Sequence, residues 1–160
     1  MVLRLDRVAE DRWSEWREVR LRALADSPQA FSSTLEDWER AEETRWRARL
    51  RDVPFNILAR RGERAIGMIS ASVVRSGDAL LVSMWVAPEA RGQGVGDALI
   101  GAVIRWAREQ GAGRIGLDVR ESNRTAQSLY RRNGFRESGP PRPSGDGIPE
   151  LHMSRSVPSR

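Results

Sequence analysis

Residues 2–8 alternate apolar and polar positions with the period of a half-buried strand. A helical stripe follows, with Trp13, Trp16, Val19, Ala23 and Leu24 on one face. Asp11 or Ser14 is placed to cap it, and Ser27-Pro28 ends it. A loop through Phe31 leads to a second expected helix from about Leu35 to Leu50, with Trp38, Ala41, Trp46 and Leu50 inward, closed by Val53-Pro54. Two strands, Phe55–Arg60 and Arg64–Val74, flank a tight turn at Arg61-Gly62-Glu63. The almost continuously apolar run Ala79–Val86 reads as a strand buried on both faces, and Pro88 stops it. Gly94–Gln110 carries the clearest helical stripe: Val95, Leu99, Ala102, Val103 and Trp106, with Gly111 as a C-terminal cap. Then come a strand at Ile115–Val119, a helix at Asn123–Asn133, and short strands at Phe135–Glu137 and Glu150–Met153 around a Gly/Pro/Ser loop at 139–147. The tail from Ser156 is expected to fray.

This order, β-α-α-β-β-β-α-β-α-β-β, predicts one domain: a mixed α/β sheet (α+β) with helices on both faces. The length of 160 residues is enough for a single core, and 39% hydrophobic with 31% charged residues describes an ordinary globular chain. No apolar run is long enough to span a bilayer. The first residues lack the basic head and apolar core of a signal peptide, so a cytoplasmic protein is expected. Cysteine is absent, which excludes disulfides, thiolate catalysis and cysteine metal ligation.

Net charge of +5 invites a nucleic-acid reading. All 27 basic residues are Arg, though, and they are scattered among 22 acids at helical spacings, which makes mixed-sign solvated faces. Neither nucleic acid nor a membrane is therefore expected as a partner. With no lysine, Schiff-base chemistry on an internal amine is also excluded.

The strongest chemical signal lies where the apolar strand gives way to the clearest helix: Val86-Ala87-Pro88-Glu89-Ala90-Arg91-Gly92-Gln93-Gly94-Val95-Gly96. Successive main-chain N–H groups at a glycine-rich turn and helix N-terminus form a cradle for phosphate oxygens, with Arg91 adding positive charge beside it. A P-loop would need a lysine. The dinucleotide fingerprint would need glycine at position 97 or 99, where Asp97 and Leu99 stand. A tight structural connection is the alternative, but such a connection seldom needs three glycines in five residues.

Arg91-x-x-Gly94-x-Gly96 resembles the Arg/Gln-x-x-Gly-x-Gly/Ala signature with which the GNAT superfamily of N-acetyltransferases binds the diphosphate of coenzyme A. The preceding Trp85-Val86-x-Pro88 resembles the end of that family's fourth strand. Downstream, Asp118-Val119-Arg120-x-x-Asn123-x-x-Ala126-x-x-Leu129-Tyr130-x-x-x-Gly134-Phe135 resembles its fifth strand, fourth helix and following strand. The match is tight over 79–137, and residues 1–78 fit only in layout.

The resemblance implies acetyl-CoA as co-substrate, no metal, and transfer of the acetyl group to a primary amine. Cofactor contacts are expected from Trp85, Val86, Arg91, Gly92, Gln93, Gly94, Val95, Gly96, Asn123 and Tyr130. Main-chain amides at Trp85 and Val86 would hold the acetyl oxygen. Tyr130, the only tyrosine, would protonate the departing thiolate; packing in the core is its other reading. Asn123 also suits a helix N-cap.

The general base stays open. Asp118 occupies a position where some family members carry a glutamate, Ser83 offers no basic group, and His152, Glu150 or a chain of waters are alternatives. The acidic residues Glu36, Asp37, Glu39, Glu42 and Glu43 form either a solvated face or an attraction for a cationic amine. Phe31, Glu36 and His152 are the candidate acceptor-site residues. A small cationic amine is the expected acceptor, with a protein N-terminus or lysine as the alternative. A non-catalytic acetyl-CoA-binding module is the reading from another class. A monomer or homodimer fits equally.

Overall fold

The computed structural model describes residues 2–145 and 147–159; Met1, Asp146 and Arg160, and with them parts of the expected 139–147 loop and of the tail, lie outside the described residues. The chain runs β1 (Leu3–Arg7), α1 (Trp13–Asp26), α2 (Leu35–Glu39), α3 (Glu43–Asp52), β2 (Phe55–Arg61), β3 (Arg64–Val73), β4 (Ala79–Val86), α4 (Val95–Glu109), β5 (Arg114–Arg120), α5 (Arg124–Arg132), β6 (Arg136–Glu137) and β7 (Glu150–Ser156). Seven strands form one sheet in the order β1-β2-β3-β4-β5-β7-β6. All neighbours are antiparallel except β4 and β5, which are parallel.

Helices cover both faces. Strand alternation turns Gly67 and Ser70 of β3 to opposite sides. A side chain at Gly67 would strike Leu99 and Val95 of α4, whereas the Ser70 hydroxyl accepts a hydrogen bond from Arg49 of α3. The α4 stripe of Val95, Leu99, Ala102, Val103 and Trp106 is buried throughout, and the Trp106 ring stacks on Phe55 of β2 at 5.0 Å.

Several expectations are corrected. The helix expected over 35–50 is two helices, with Glu42 in an extended conformation between them (φ −82°, ψ 166°). One continuous helix would hold Trp38 and Trp46 about 12 Å apart along its axis. The break lets the two rings pack at 4.7 Å instead. Thr34 caps α2 by accepting from the Asp37 amide. Neither Asp11 nor Ser14 caps α1. A 3₁₀ turn at Glu10–Arg12 precedes that helix, and Arg12 ties it to β1 through Asp6 (2.7 Å) while also holding Glu15 (2.7 Å).

Nor is β4 buried on both faces. Leu80, Val82, Met84 and Val86 are only half-buried, because they line cavities described below. The chain also stays ordered past Ser156. That residue pairs with Arg114, and the Val157 amide bonds the Gly113 carbonyl at 2.9 Å.

Candidate active site

The parallel strands β4 and β5 pair only at Ala79↔Ile115 and Leu80↔Gly116, then diverge. Among the described residues the β5-facing edge of β4 has no strand partner beyond Leu80, so its main-chain groups are left available except for the Val86 carbonyl, which accepts from Arg91. The divergence begins beside a bulge. Met68 faces Trp85 and Ser70 faces Val82, so Ser83 and Met84 together oppose one residue of β3. Ser83 sits at φ +57°, the one non-glycine with positive φ among the described residues. Strain of this kind concentrates at functional sites. Arg49 holds the bulge from α3, donating to the Ser83 and Ser70 hydroxyls, both at 3.1 Å.

A cavity of about 910 Å³ fills the split. One wall is Leu81–Val86 of β4 and Leu117–Val119 of β5; another is the α4 N-terminus with Arg91, Gly92 and Gly94–Asp97. The first helical hydrogen bond here runs from the Ala98 amide to the Gly94 carbonyl, so the amides of Val95, Gly96 and Asp97 have no partner within the helix. Their positive end of the helix dipole is directed where an anion would sit.

The glycines serve this turn in two ways. Gly92 and Gly94 adopt φ of +76° and +82° with open space around them, so conformation alone requires glycine there. At Gly96 a Cβ would lie 2.9 Å from Leu129 Cδ2 and 3.2 Å from Met84 Cε, so the close packing of α4 on α5 favours glycine there.

Arg91 is less free than its position in the motif suggests. Its guanidinium donates to the Val86 carbonyl at 3.0 Å and to Asp26 at 2.6 Å. Asp26, at the end of α1, also accepts from the Trp85 indole at 3.0 Å, and these hydrogen bonds, led by Trp85, lower its pKa. Gln93 does not line the cavity; its side chain bonds Arg61 (2.7 Å) and the Glu89 carbonyl. Asp97 is held by Arg132 and Asn133 of the α5 end, and Arg132 brings a second guanidinium to the same cavity.

Asn123 caps α5 by accepting from the Ala126 amide at 3.2 Å, and it also lines the cavity. Tyr130 lies opposite the strand edge on α5, its ring edge-on to Phe135 at 5.9 Å. Burial raises its phenol pKa well above the usual value, so the hydroxyl stays protonated across the physiological range.

Asp118 and His152, cross-strand partners on β5 and β7, meet with Asp118 Oδ1 2.9 Å from His152 Nδ1. Asp118 lines the large cavity and a second one of about 390 Å³; His152 lines neither. The smaller cavity lies between β4–β5 and the first helices, walled by Trp16 and Arg20 of α1, Phe31, Trp38, Trp46 and Arg49 of α3, and Glu150. Phe31, Leu81, Val82, Ser83 and Asp118 belong to both cavities, so they communicate. Glu36, Asp37, Glu39, Glu42 and Glu43 are exposed and line neither cavity.

Two residues that the sequence reading passed over dominate the smaller cavity. Arg20 is 8% exposed. Burial, reinforced by the charge of Arg49, pushes its pKa down to about 10. Burial likewise pushes Arg49 down to about 10, with Asp52 opposing. Both remain cationic at neutral pH. Arg20 lies over the Phe31 ring at 4.5 Å. Three side-chain N–H donors are closed to solvent without a partner among the described residues: Trp16 Nε1, Arg20 Nη1 and Trp46 Nε1. Each such donor costs about 1–3 kcal/mol. All three belong to walls of this one cavity. Their sequence signal was legible: Arg20 interrupts the apolar stripe of α1, four residues after Trp16 and three before Ala23.

Comparison with known proteins follows the same outline. The sequence model of the Acetyltransferase (GNAT) family matches residues 5–135. A mycothiol acetyltransferase of Thermobispora bispora is 32% identical over 126 residues, which cover 75% of this chain and 41% of that protein. The chain thus spans about two fifths of the length of this curated relative. An acetyltransferase of the GNAT family from Streptococcus pneumoniae superposes with a TM-score of 0.83 at 18% identity, over 98% of this chain and 100% of its own. A ribosomal-protein-alanine N-acetyltransferase from Brucella melitensis superposes with a TM-score of 0.75 at 22% identity, over 98% and 100%.

Proposed function

From the premise that the chain belongs to the Acetyltransferase (GNAT) family, we propose that it is an enzyme that transfers an acetyl group from acetyl-CoA to a primary amine by direct attack. One observation carries this reading: a helix N-terminus with amides free of helical partners and an unpaired strand edge face the same cavity of about 910 Å³. An extended molecule with a diphosphate at one end and amide groups along its length matches both.

In this reading the diphosphate lies on the amides of Gly92–Asp97, near Arg91 and Arg132. The pantetheine arm pairs with the free edge of β4 as an added strand would. The main-chain N–H at Val86 stabilises the developing oxyanion, the type of contribution worth about 3–4 kcal/mol per donor, whereas that of Trp85 is turned to Met68 of β3. Gln93, whose side chain faces away, contributes only its amide.

The amine enters from the smaller cavity. A lysine-like amine with a pKa of about 10.4 is mostly protonated at pH 7. Asp118, which lines both cavities, takes that proton directly or through water, and His152 steadies the carboxylate from its other side. The amine nitrogen then forms a bond to the thioester carbon, and collapse of the tetrahedral intermediate breaks the carbon–sulfur bond. Tyr130 gives its proton to the departing sulfur. Because burial makes a lone phenolate costly, the phenol must recover a proton from the acetylated nitrogen in the same passage. The products are an N-acetyl amine and coenzyme A.

The test is amine-dependent release of coenzyme A, read with a thiol reagent. The chain contains no cysteine, so the protein adds no background. Thiol release that rises with amine concentration supports the reading. Acetyl-CoA binding without release, across small amines, amino acids and peptides, would leave a binding module instead.

A further inference from the structure

The smaller cavity carries cationic as well as acidic side chains on its walls. Its walls hold Arg20 and Arg49, neither of which has a carboxylate partner within ion-pair distance among the described residues, although Asp52 acts on Arg49 from farther away. Arg49 already spends its terminal nitrogens on Asn56, Ser70 and Ser83, fixing the β4 bulge. Arg20 makes no such contacts through Nη1, which is unpartnered among the described residues, and its guanidinium carbon lies 4.5 Å from the centre of the Phe31 ring. The unpartnered indole N–H groups belong to Trp16 and Trp46, residues that line the same cavity. Stability alone favours an apolar residue over an uncompensated buried cation. A ligand rich in acceptor oxygens supplies what these donors lack, and a planar carboxylate suits a guanidinium in particular.

At about 390 Å³ the cavity has room for a small molecule. Asp118 and Glu150 are the acidic groups on its walls. We infer that the acceptor is an amine that also carries a carboxylate, an amino acid or a small derivative of one, with Arg20 binding the carboxylate and the amine turned toward Asp118. This rests on the acetyl-transfer reading above and replaces the expectation of a purely cationic amine. Transfer then forms the amide bond on the amino acid's nitrogen and releases coenzyme A as the thiol, with the displaced proton leaving through Asp118.

The experiment compares three sets of acceptors in the thiol-release assay: free amino acids, their carboxamides, and the corresponding decarboxylated amines. Acetyl-CoA affinity is measured separately by calorimetry. The inference expects at least one free amino acid to exceed its amide and its decarboxylated amine by about tenfold or more in kcat/KM. Arg20→Met should abolish that preference, mainly through KM, while acetyl-CoA affinity stays within about twofold. Arg20→Lys should retain part of the preference. The Arg20→Met protein should also melt at or above the wild-type temperature, since it removes an unpaired buried charge. A binding role predicts this combination, whereas a structural role predicts a lower melting temperature. Amides or decarboxylated amines used as well as the acids would overturn the inference, as would the absence of turnover with every amino acid. Failure of acetyl-CoA to bind at all would instead overturn the acetyl-transfer reading.

Discussion

The two communicating cavities are built from different materials. The larger is made chiefly of main chain: a strand edge without a neighbour, a bulge at Ser83, and the first amides of α4. The smaller is made of side chains drawn from separate places, with Trp16 and Arg20 from α1, Trp46 and Arg49 from α3, and Asp118 and Glu150 from the neighbouring strands β5 and β7. A site of main-chain groups depends on backbone conformation and tolerates many side chains. A site of side chains depends on each residue type. The first kind suits a co-substrate that never changes, and the second suits an acceptor that distinguishes one family member from another.

Substitution should separate the two. The largest effect is expected at Gly94, where Gly94→Val puts a β-branched residue at φ +82°. It should cost about 2 kcal/mol of stability and abolish detectable acetyl-CoA binding. Thermal melts and calorimetry read the two losses together. Tyr130→Phe comes next: turnover should fall by about a hundredfold, with acetyl-CoA affinity within about twofold of wild type. If the Phe enzyme kept full rate, the acid role would be wrong and Tyr130 would be only a packed aromatic. Asp118→Asn should lower kcat/KM by about tenfold or more at pH 7, less as the pH rises and the free amine accumulates. The smallest effect is expected at Asn123→Ala, which removes the cap of α5 and should cost about 1 kcal/mol. It should weaken acetyl-CoA binding only modestly, because it acts at the rim of the main-chain cavity.

This division also explains how much was legible beforehand. Residues 79–137 could be read because a left-handed turn demands glycine and a close helix contact favours it, which leaves fixed spacings at Gly92, Gly94 and Gly96. The helix and strand order followed from periodicity almost throughout. It failed at Arg40–Glu42, where tertiary packing of Trp38 on Trp46 overrides a continuous helical pattern. It failed again at β4, where an apolar run signals burial and cannot signal that a cavity does the covering.

The engagement of Arg91 by Asp26 joins residues 65 positions apart, and no local pattern reports it. The smaller cavity was the least legible part. The acidic residues of α2 and α3 drew attention by number, yet they face solvent. Arg20, a single charge on an apolar stripe, is the sequence feature on which the proposed acceptor site rests.

The central claim is that the amides opening α4 hold the diphosphate of acetyl-CoA. Calorimetric titration of the purified protein with acetyl-CoA tests it most directly, alongside the Gly94→Val protein. The account predicts one molecule bound per chain with a Kd in the micromolar range, of order −8 kcal/mol, and no measurable heat for the variant. Absence of binding by the wild-type protein at millimolar acetyl-CoA, or equal binding by both proteins, would contradict it.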